Sequence, residues 1–82
     1  MSITATEITA PLSEMRIKEC RILVGVMREG LAVRLASMGL APGACVTMVR
    51  NGGATVVVAV DRTYLALDQR IVADILVGPV VR

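Results

Sequence analysis

Short runs in which apolar and polar residues alternate make up most of the chain after residue 19. A period of two is typical of strands that turn one face toward a core. In the first run, Ile22, Val24 and Val26 would share one face and Leu23 would point the other way. The pattern predicts five strands, at Cys20–Val26, Ala44–Arg50, Thr55–Val60, Thr63–Leu67 and Ile75–Val77.

One segment between the first two strands has a helical period instead. Leu31, Leu35 and Met38 recur at i, i+4 and i+7, which places them along one face of a helix. This spacing predicts a helix from about Glu29 to Met38, with Gly30 in its first turn.

The residues after the helix predict a sharp change of direction. Gly39 can take the left-handed conformation of a helix C-terminal cap, and Leu40 would then fold back onto Leu35. Pro42 lies where the helix cannot continue, and Gly43 offers a second permissive position. We expect a structural hinge, formed by Gly39, Pro42 and Gly43, that sets the helix against the next strand.

Turn-forming residues separate the remaining strands. Asn51-Gly52-Gly53 is the strongest hairpin signal, because tight hairpin turns require positive φ. Asp61-Arg62 predicts a second short turn, residues 68–74 predict a polar or helical turn, and Gly78-Pro79 is expected to end regular structure. Residues 1–11 show no sustained period, so we expect a flexible N-terminal arm at 1–11 and one domain at 12–82.

These elements together predict a mainly β fold. Five short strands joined by tight turns describe a small, highly curved sheet that closes on itself. We expect an SH3-like barrel of about five strands, with one helix inserted between the first two strands and a short C-terminal helical turn. An OB-like barrel is the nearest alternative, although its usual helix comes later in the strand order.

Composition agrees with one small, soluble domain. The 82 residues are 55% hydrophobic and carry a net charge of +2 without clusters. No apolar run approaches the roughly 20 residues that span a bilayer, so we expect no membrane insertion. The N-terminus lacks the pattern of a secretory signal, which predicts a cytoplasmic protein. Nucleic-acid binding is disfavoured, because basic residues are dispersed and Tyr64 is the only aromatic residue.

The sequence offers little for catalysis or cofactor binding. It has no histidine, so a Ser-His or Cys-His nucleophile cannot be built, and we expect no enzyme activity. Cys20 and Cys45 are too far apart in sequence for a CxxC site. We expect them to be buried reduced thiols, with a disulfide or a redox role as the alternative. No phosphate-binding loop follows the glycines, so neither a metal site nor a cofactor is predicted.

A surface for another protein is the remaining possibility. The outward-facing members of the helix and hinge would be Leu31, Arg34, Met38 and Leu40, which we predict as partner-binding residues. The apolar members would either cover the barrel mouth as core or line an apolar groove made adaptable by methionine. Arg28 and Arg34 would be either solvated or rim charges facing an acidic partner.

The stretch around the hinge resembles the signature of the ferrous-iron-transport A (FeoA) family. The resemblance rests on an Arg-Leu pair at Arg34-Leu35, a Met-Gly-Leu at 38–40 and a Pro-Gly at 42–43, followed by a strand. It continues through Leu65-Ala66-Leu67 and Ile75-Leu76-Val77, and covers roughly residues 12 to 77. The family commonly has glycine where this chain has Lys18 or Glu19 and where Asp61-Arg62 stands, so we expect those turns to differ. The hairpin at 51–53 is also shorter than the family's usual loop.

The resemblance implies a cytoplasmic SH3-like module that acts with the GTPase-containing permease of bacterial ferrous iron uptake. It implies an accessory and regulatory role, without catalysis, through protein-protein contact. Two alternatives come from other classes of function. One is a small metal-responsive sensor that binds a divalent transition metal ion directly, and the other is a self-associating structural module that forms a homo-oligomer.

Overall fold

Six antiparallel strands and two helices form the protein in a computed structural model that describes residues 9–81. The strands are β1 (Ala10–Pro11), β2 (Cys20–Val26), β3 (Cys45–Gly52), β4 (Thr55–Val60), β5 (Thr63–Asp68) and β6 (Ile75–Val80). The helices are α1 (Glu29–Ala36), between β2 and β3, and α2 (Gln69–Val72), between β5 and β6, and a 3₁₀ helix covers Leu12–Glu14.

The strands form one sheet in the order β1-β6-β2-β3-β4-β5. The predicted mainly β, SH3-like architecture is confirmed, with the helix and the helical turn in their predicted places. The sheet is not closed by hydrogen bonds, because β1 and β5 are its two ends in the described part of the chain. Its curvature brings the apolar faces together around a single core.

The sheet extends further than the sequence predicts at the chain ends. Ala10 and Pro11, which we expected in a flexible arm, pair with Val77 and Leu76 as β1. The rest of that arm, residues 1–8, lies outside the described residues. The expectation that regular structure ends at Gly78-Pro79 is wrong, because β6 runs on to Val80, which pairs with Arg21 of β2.

The core is made of aliphatic side chains and methionine. Its members come from the strands, from α1 and α2, from the 3₁₀ helix and from the hinge, and polar side chains are absent from it among the described residues. Alternation sets the inward faces of β3 and β4, where Val46, Met48, Val56 and Val58 are buried. These residues carry the hydrophobic stabilisation of a domain this small.

Alternation fails in β2. Val24 is 44% exposed, whereas Val26 packs against the core that contains Leu23, so Ile22, Val24 and Val26 do not share one face. Pairing with β6 shifts register on both sides of Leu23, and such bulges turn side chains away from strict alternation. The sequence shows no signal for this, because the shift arises from the partner strand.

Cys20 and Cys45 form a disulfide between β2 and β3, with their Cα atoms 6.4 Å apart. The expectation of two buried reduced thiols is therefore wrong on both counts, since Cys45 is also exposed and Cys20 is half-buried. The bond encloses α1 and the hinge in a covalent loop. Their position relative to the two strands is thereby restrained.

The hairpin between β3 and β4 turns one position later than predicted. Gly53 and Ala54 form the turn, and Gly53 has the positive φ that the turn requires. Asn51 lies in β3, and its amide nitrogen donates hydrogen bonds to the carbonyls of Ser13 and Met15 at 2.9 Å each. The side chain that signals the turn therefore fastens the 3₁₀ helix to the sheet.

Candidate functional site

The end of α1 is built as the sequence predicts. Gly39 has a φ of 94°, and the N–H of Leu40 donates to the Leu35 carbonyl at 2.9 Å. The N–H of Gly39 donates to the Ala36 carbonyl at 3.0 Å, which completes the paired bonds of a Schellman cap. The helix itself ends at Ala36 instead of Met38, because these last bonds tighten into a turn.

The hinge is fastened to β2 by backbone hydrogen bonds. Pro42 and Gly43 are the central residues of a turn from Ala41 to Ala44, and Gly43 has a φ of 97°. Proline followed by a residue with positive φ is the type II arrangement. Leu23 bonds to both sides of this turn, accepting from the Gly43 N–H and donating to the Ala44 carbonyl at 2.8 Å each. The direction of α1 is therefore set from β2.

Leu40 is fully buried, so the prediction that it faces outward is wrong. It lies in the core with Leu35, as the apolar contact of a Schellman cap requires. Its buried position agrees instead with the other prediction, that Leu40 folds back onto Leu35 after the cap. Its role is to anchor the hinge.

The other three predicted residues, Leu31, Arg34 and Met38, lie together on one surface. They line a depression of about 350 Å³ between α1 and the C-terminal part of β5. A second depression, of about 420 Å³, continues along α1 and shares Leu31, Arg34 and Ile71 with the first. We call the combined surface the helix groove, lined by Leu31, Arg34, Met38, Ala66, Asp68 and Ile71.

The helix groove has an adaptable apolar lining. Leu31 and Ile71 are half-buried against the core, and Met38 is 45% exposed. An exposed methionine can repack around a bound side chain at little cost, because it is unbranched and polarisable. The groove therefore suits apolar side chains without prescribing one shape.

Charges at the groove are mostly paired. Arg28 and Asp74 form an ion pair of 2.8 Å at the start of α1, and Arg70 and Asp68 form one of 2.9 Å on α2. The two bonds from Arg70 lower the pKa of Asp68 to about 2, so this carboxylate stays charged. Arg34 has no ion pair among residues 9–81 and faces the groove with its charge uncompensated.

The wall opposite α1 could not be predicted from local sequence. Ala66 and Ile71 carry no signal of their own, and Asp68 reads as an ordinary turn residue. Asp68 caps α2 by accepting from the Arg70 N–H at 2.8 Å, which is the usual role of aspartate before a helix. Only the packing of β5 and α2 against α1 brings these residues to the site.

The groove combines apolar side chains with the charged side chains of Arg34 and Asp68. Within the described residues, no group of three or more Cys, Asp or Glu side chains lies close enough to hold a metal ion. Both cysteines are consumed by the disulfide. The alternative hypothesis of a direct metal sensor thus gains no support from the groove. No helix of the described chain is long and apolar enough to cross a membrane.

Comparison with known proteins identifies a related family. The model of the FeoA domain matches residues 10–79. Among solved structures, the chain is similar to an iron uptake regulatory protein (FeoA), with 26% identity and a TM-score of 0.76 over 85% of this chain and 94% of that one. No curated protein matches the sequence significantly.

Two further structures agree in fold. The zinc-complexed FeoA of Stenotrophomonas maltophilia, an SH3 domain protein, is 27% identical, with a TM-score of 0.72 over 82% of this chain and 87% of that one. The FeoA protein of Chlorobium tepidum is 24% identical, with a TM-score of 0.76 over 83% of this chain and 68% of that one. The second of these supports the fold alone.

Proposed function

The chain belongs to the FeoA domain family, and from this premise we propose that it is a non-catalytic regulatory protein of bacterial ferrous iron uptake. It acts at the cytoplasmic face by direct contact with the ferrous iron permease that carries a GTP-binding domain. We assign this function to the domain at residues 12–82. One similar structure is that of an iron uptake regulatory protein. Another is that of a FeoA protein linked to the activation of ferrous iron transport.

The observation that supports this proposal most is the helix groove. It collects three of the four predicted partner-binding residues on one surface, and one of these three, Arg34, has no ion-pair partner in residues 9–81. Binding sites of proteins combine an adaptable apolar centre with charged groups at the rim, which set partner choice and on-rate. Neither feature requires a histidine, a metal ligand or a phosphate loop.

Titration of the full chain against the full-length permease in detergent tests this function by calorimetry. The matched variants are Arg34→Glu, in the groove, and Arg50→Glu, an exposed arginine of β3 outside it. We expect Arg34→Glu to weaken binding by about tenfold, since reversing a rim charge turns attraction into repulsion. Arg50→Glu should stay within about threefold of the parent, as expected for a charge away from the interface.

Two results would count against the proposal. Absence of binding to the permease, with the parent protein folded, would remove its main premise. Equal loss in the two variants would indicate a dependence on net charge alone, and the groove would then not be the contact surface.

A further inference from the structure

Within residues 9–81, β5 pairs with another strand on one side only. β5 pairs with β4 on one side and is the last strand of the sheet in the described chain. Val60 and Thr63 flank the two-residue turn between these strands, and such flanking pairs exchange both backbone hydrogen bonds. From this pair onward, hydrogen-bonded and non-hydrogen-bonded residue pairs alternate along the two strands. This alternation determines which backbone groups of β5 point away from β4.

Every second residue of β5 points its backbone outward. Leu65 and Leu67 oppose Val58 and Val56 in bonded pairs, so the N–H and C=O groups of Tyr64 and Ala66 face the open edge. The bond from the Gln69 N–H to the Ala54 carbonyl, at 2.9 Å, fits the same alternation one step beyond the strand. Ala66 lies both on this edge and in the helix groove.

The groove thus has an open strand edge on one side and a helix on the other. A surface of this kind accepts an extended segment, because the segment's backbone can continue the sheet while its alternate side chains enter the groove. The other end of the sheet is less suited. β1 is only two residues long and contains Pro11, and short strands and proline both discourage edge pairing.

Charge restricts the chemistry of the segment. Arg28 at the groove is already paired with Asp74, and the groove residue Asp68 is already paired with Arg70. Arg34 faces the groove and forms no ion pair in residues 9–81. An acidic residue of the bound segment would therefore form an ion pair with it. The apolar lining beside Arg34 calls for aliphatic neighbours on either side of that acidic residue.

We propose that the helix groove binds an extended, acidic and aliphatic segment of the partner protein, which adds as a further strand to the outer edge of β5. The identity of the partner rests on the proposed function, whereas the mode of binding rests on the edge and the groove. Recognition by strand addition draws affinity from backbone hydrogen bonds and draws selectivity from the groove.

Hydrogen exchange of the full chain, free and bound to the full-length permease, tests the mode at single-residue resolution. In the free protein, the amides of Tyr64 and Ala66 should exchange quickly and those of Leu65 and Leu67 slowly. Binding should slow the first pair by at least about tenfold, because open amides acquire acceptors. The second pair should change less.

Variants of Ala66 provide a second measurement. Ala66→Pro removes an outward N–H at a position that the ladder with β4 does not use, and proline is tolerated at such edge positions. Ala66→Val keeps the N–H while it also changes the side chain in the groove, so the difference between the two variants reports the backbone contribution. We expect the proline variant to bind at least about tenfold more weakly than the valine variant.

The outcomes separate this inference from the proposed function. Binding to the permease with fast Tyr64 and Ala66 amides would overturn strand addition and leave the function standing. Absence of any binding would overturn both. Protection of the same amides in the isolated protein as its concentration rises, together with dimers in sedimentation, would make a second copy the occupant and overturn the assignment to a partner.

Discussion

Three residues in two turns hold a backbone conformation that usually belongs to glycine. Lys18, Asp61 and Arg62 have φ values of 75°, 52° and 70°. From the resemblance to the family we expected these turns to differ from turns that contain glycine. They keep left-handed geometry with side chains that disfavour it, at a cost of about 1–2 kcal/mol for each ordinary residue.

Arg62→Gly should therefore stabilise the protein. Relief of the left-handed penalty exceeds the extra chain entropy that glycine loses on folding, and the net gain should be about 0.5–1 kcal/mol. Urea unfolding of the parent and the variant measures the difference. Arg62→Ala is the control, because alanine keeps the penalty, and an equal gain in that variant would contradict this explanation.

The disulfide is a second feature that depends on individual residues. Its cysteines are separated by 25 positions, and closing a loop of that length in the unfolded chain corresponds to about 3–4 kcal/mol. We expect the double variant Cys20→Ala/Cys45→Ala to lose about 3 kcal/mol of unfolding free energy. A reductant should lower the stability of the parent by a similar amount and leave the double variant unchanged. An unchanged parent would contradict the structural role of the bond.

At the scale of elements, two glycines of the α1 region should respond to alanine with opposite changes in stability. Gly39 has positive φ and an added Cβ would lie 4.0 Å from Val60, so the cost of alanine there is conformational. Gly39→Ala should cost about 1 kcal/mol. Gly30 lies inside α1 with open space around it, so Gly30→Ala should gain about 0.5–1 kcal/mol. Chemical unfolding measures both, and equal signs would refute the capping role of Gly39.

The cap of α2 makes stability depend on pH. Hydrogen bonds from Arg70 lower the pKa of Asp68 to about 2 in the folded protein, below its ordinary value of 3.8. The charged carboxylate therefore stabilises the folded state above pH 4, and this contribution is lost as the pH falls toward 2. Relative to Asp68→Asn, which does not titrate, the parent should lose stability between pH 5 and about 2. Parallel unfolding curves of the two proteins over that range would contradict the shift.

Local sequence predicted those elements whose determinants are local. The bounds of β2 and β4 match the predicted apolar runs, and the start of α1 matches the helical period. The bulges in β2, the extension of β6 and the strand β1 depend on pairing with distant strands, which no local pattern encodes. The same division applies to the helix groove. Its α1 wall was predictable from spacing, and its β5 and α2 wall was not.

At the scale of the whole molecule, the hinge joins the core to the groove. Leu40 belongs to the core cluster, whereas Met38, two residues earlier, lies in the helix groove. The Schellman cap between them turns the chain from surface to interior within this short distance. The orientation of the groove is therefore coupled to the packing of the core, and a loose hinge would weaken both.

This coupling predicts different outcomes for two neighbouring truncations. Leu40→Ala removes a fully buried side chain and should cost about 2–5 kcal/mol, because the thin core cannot fill the cavity. Met38→Ala should change stability by less than about 1 kcal/mol, since 45% of that side chain is exposed. Permease binding is measured under conditions in which both variants are folded. Relative to the stability that each variant loses, Met38→Ala should lose more binding affinity than Leu40→Ala. A Leu40→Ala variant as stable as the parent would refute the anchoring of the hinge in the core.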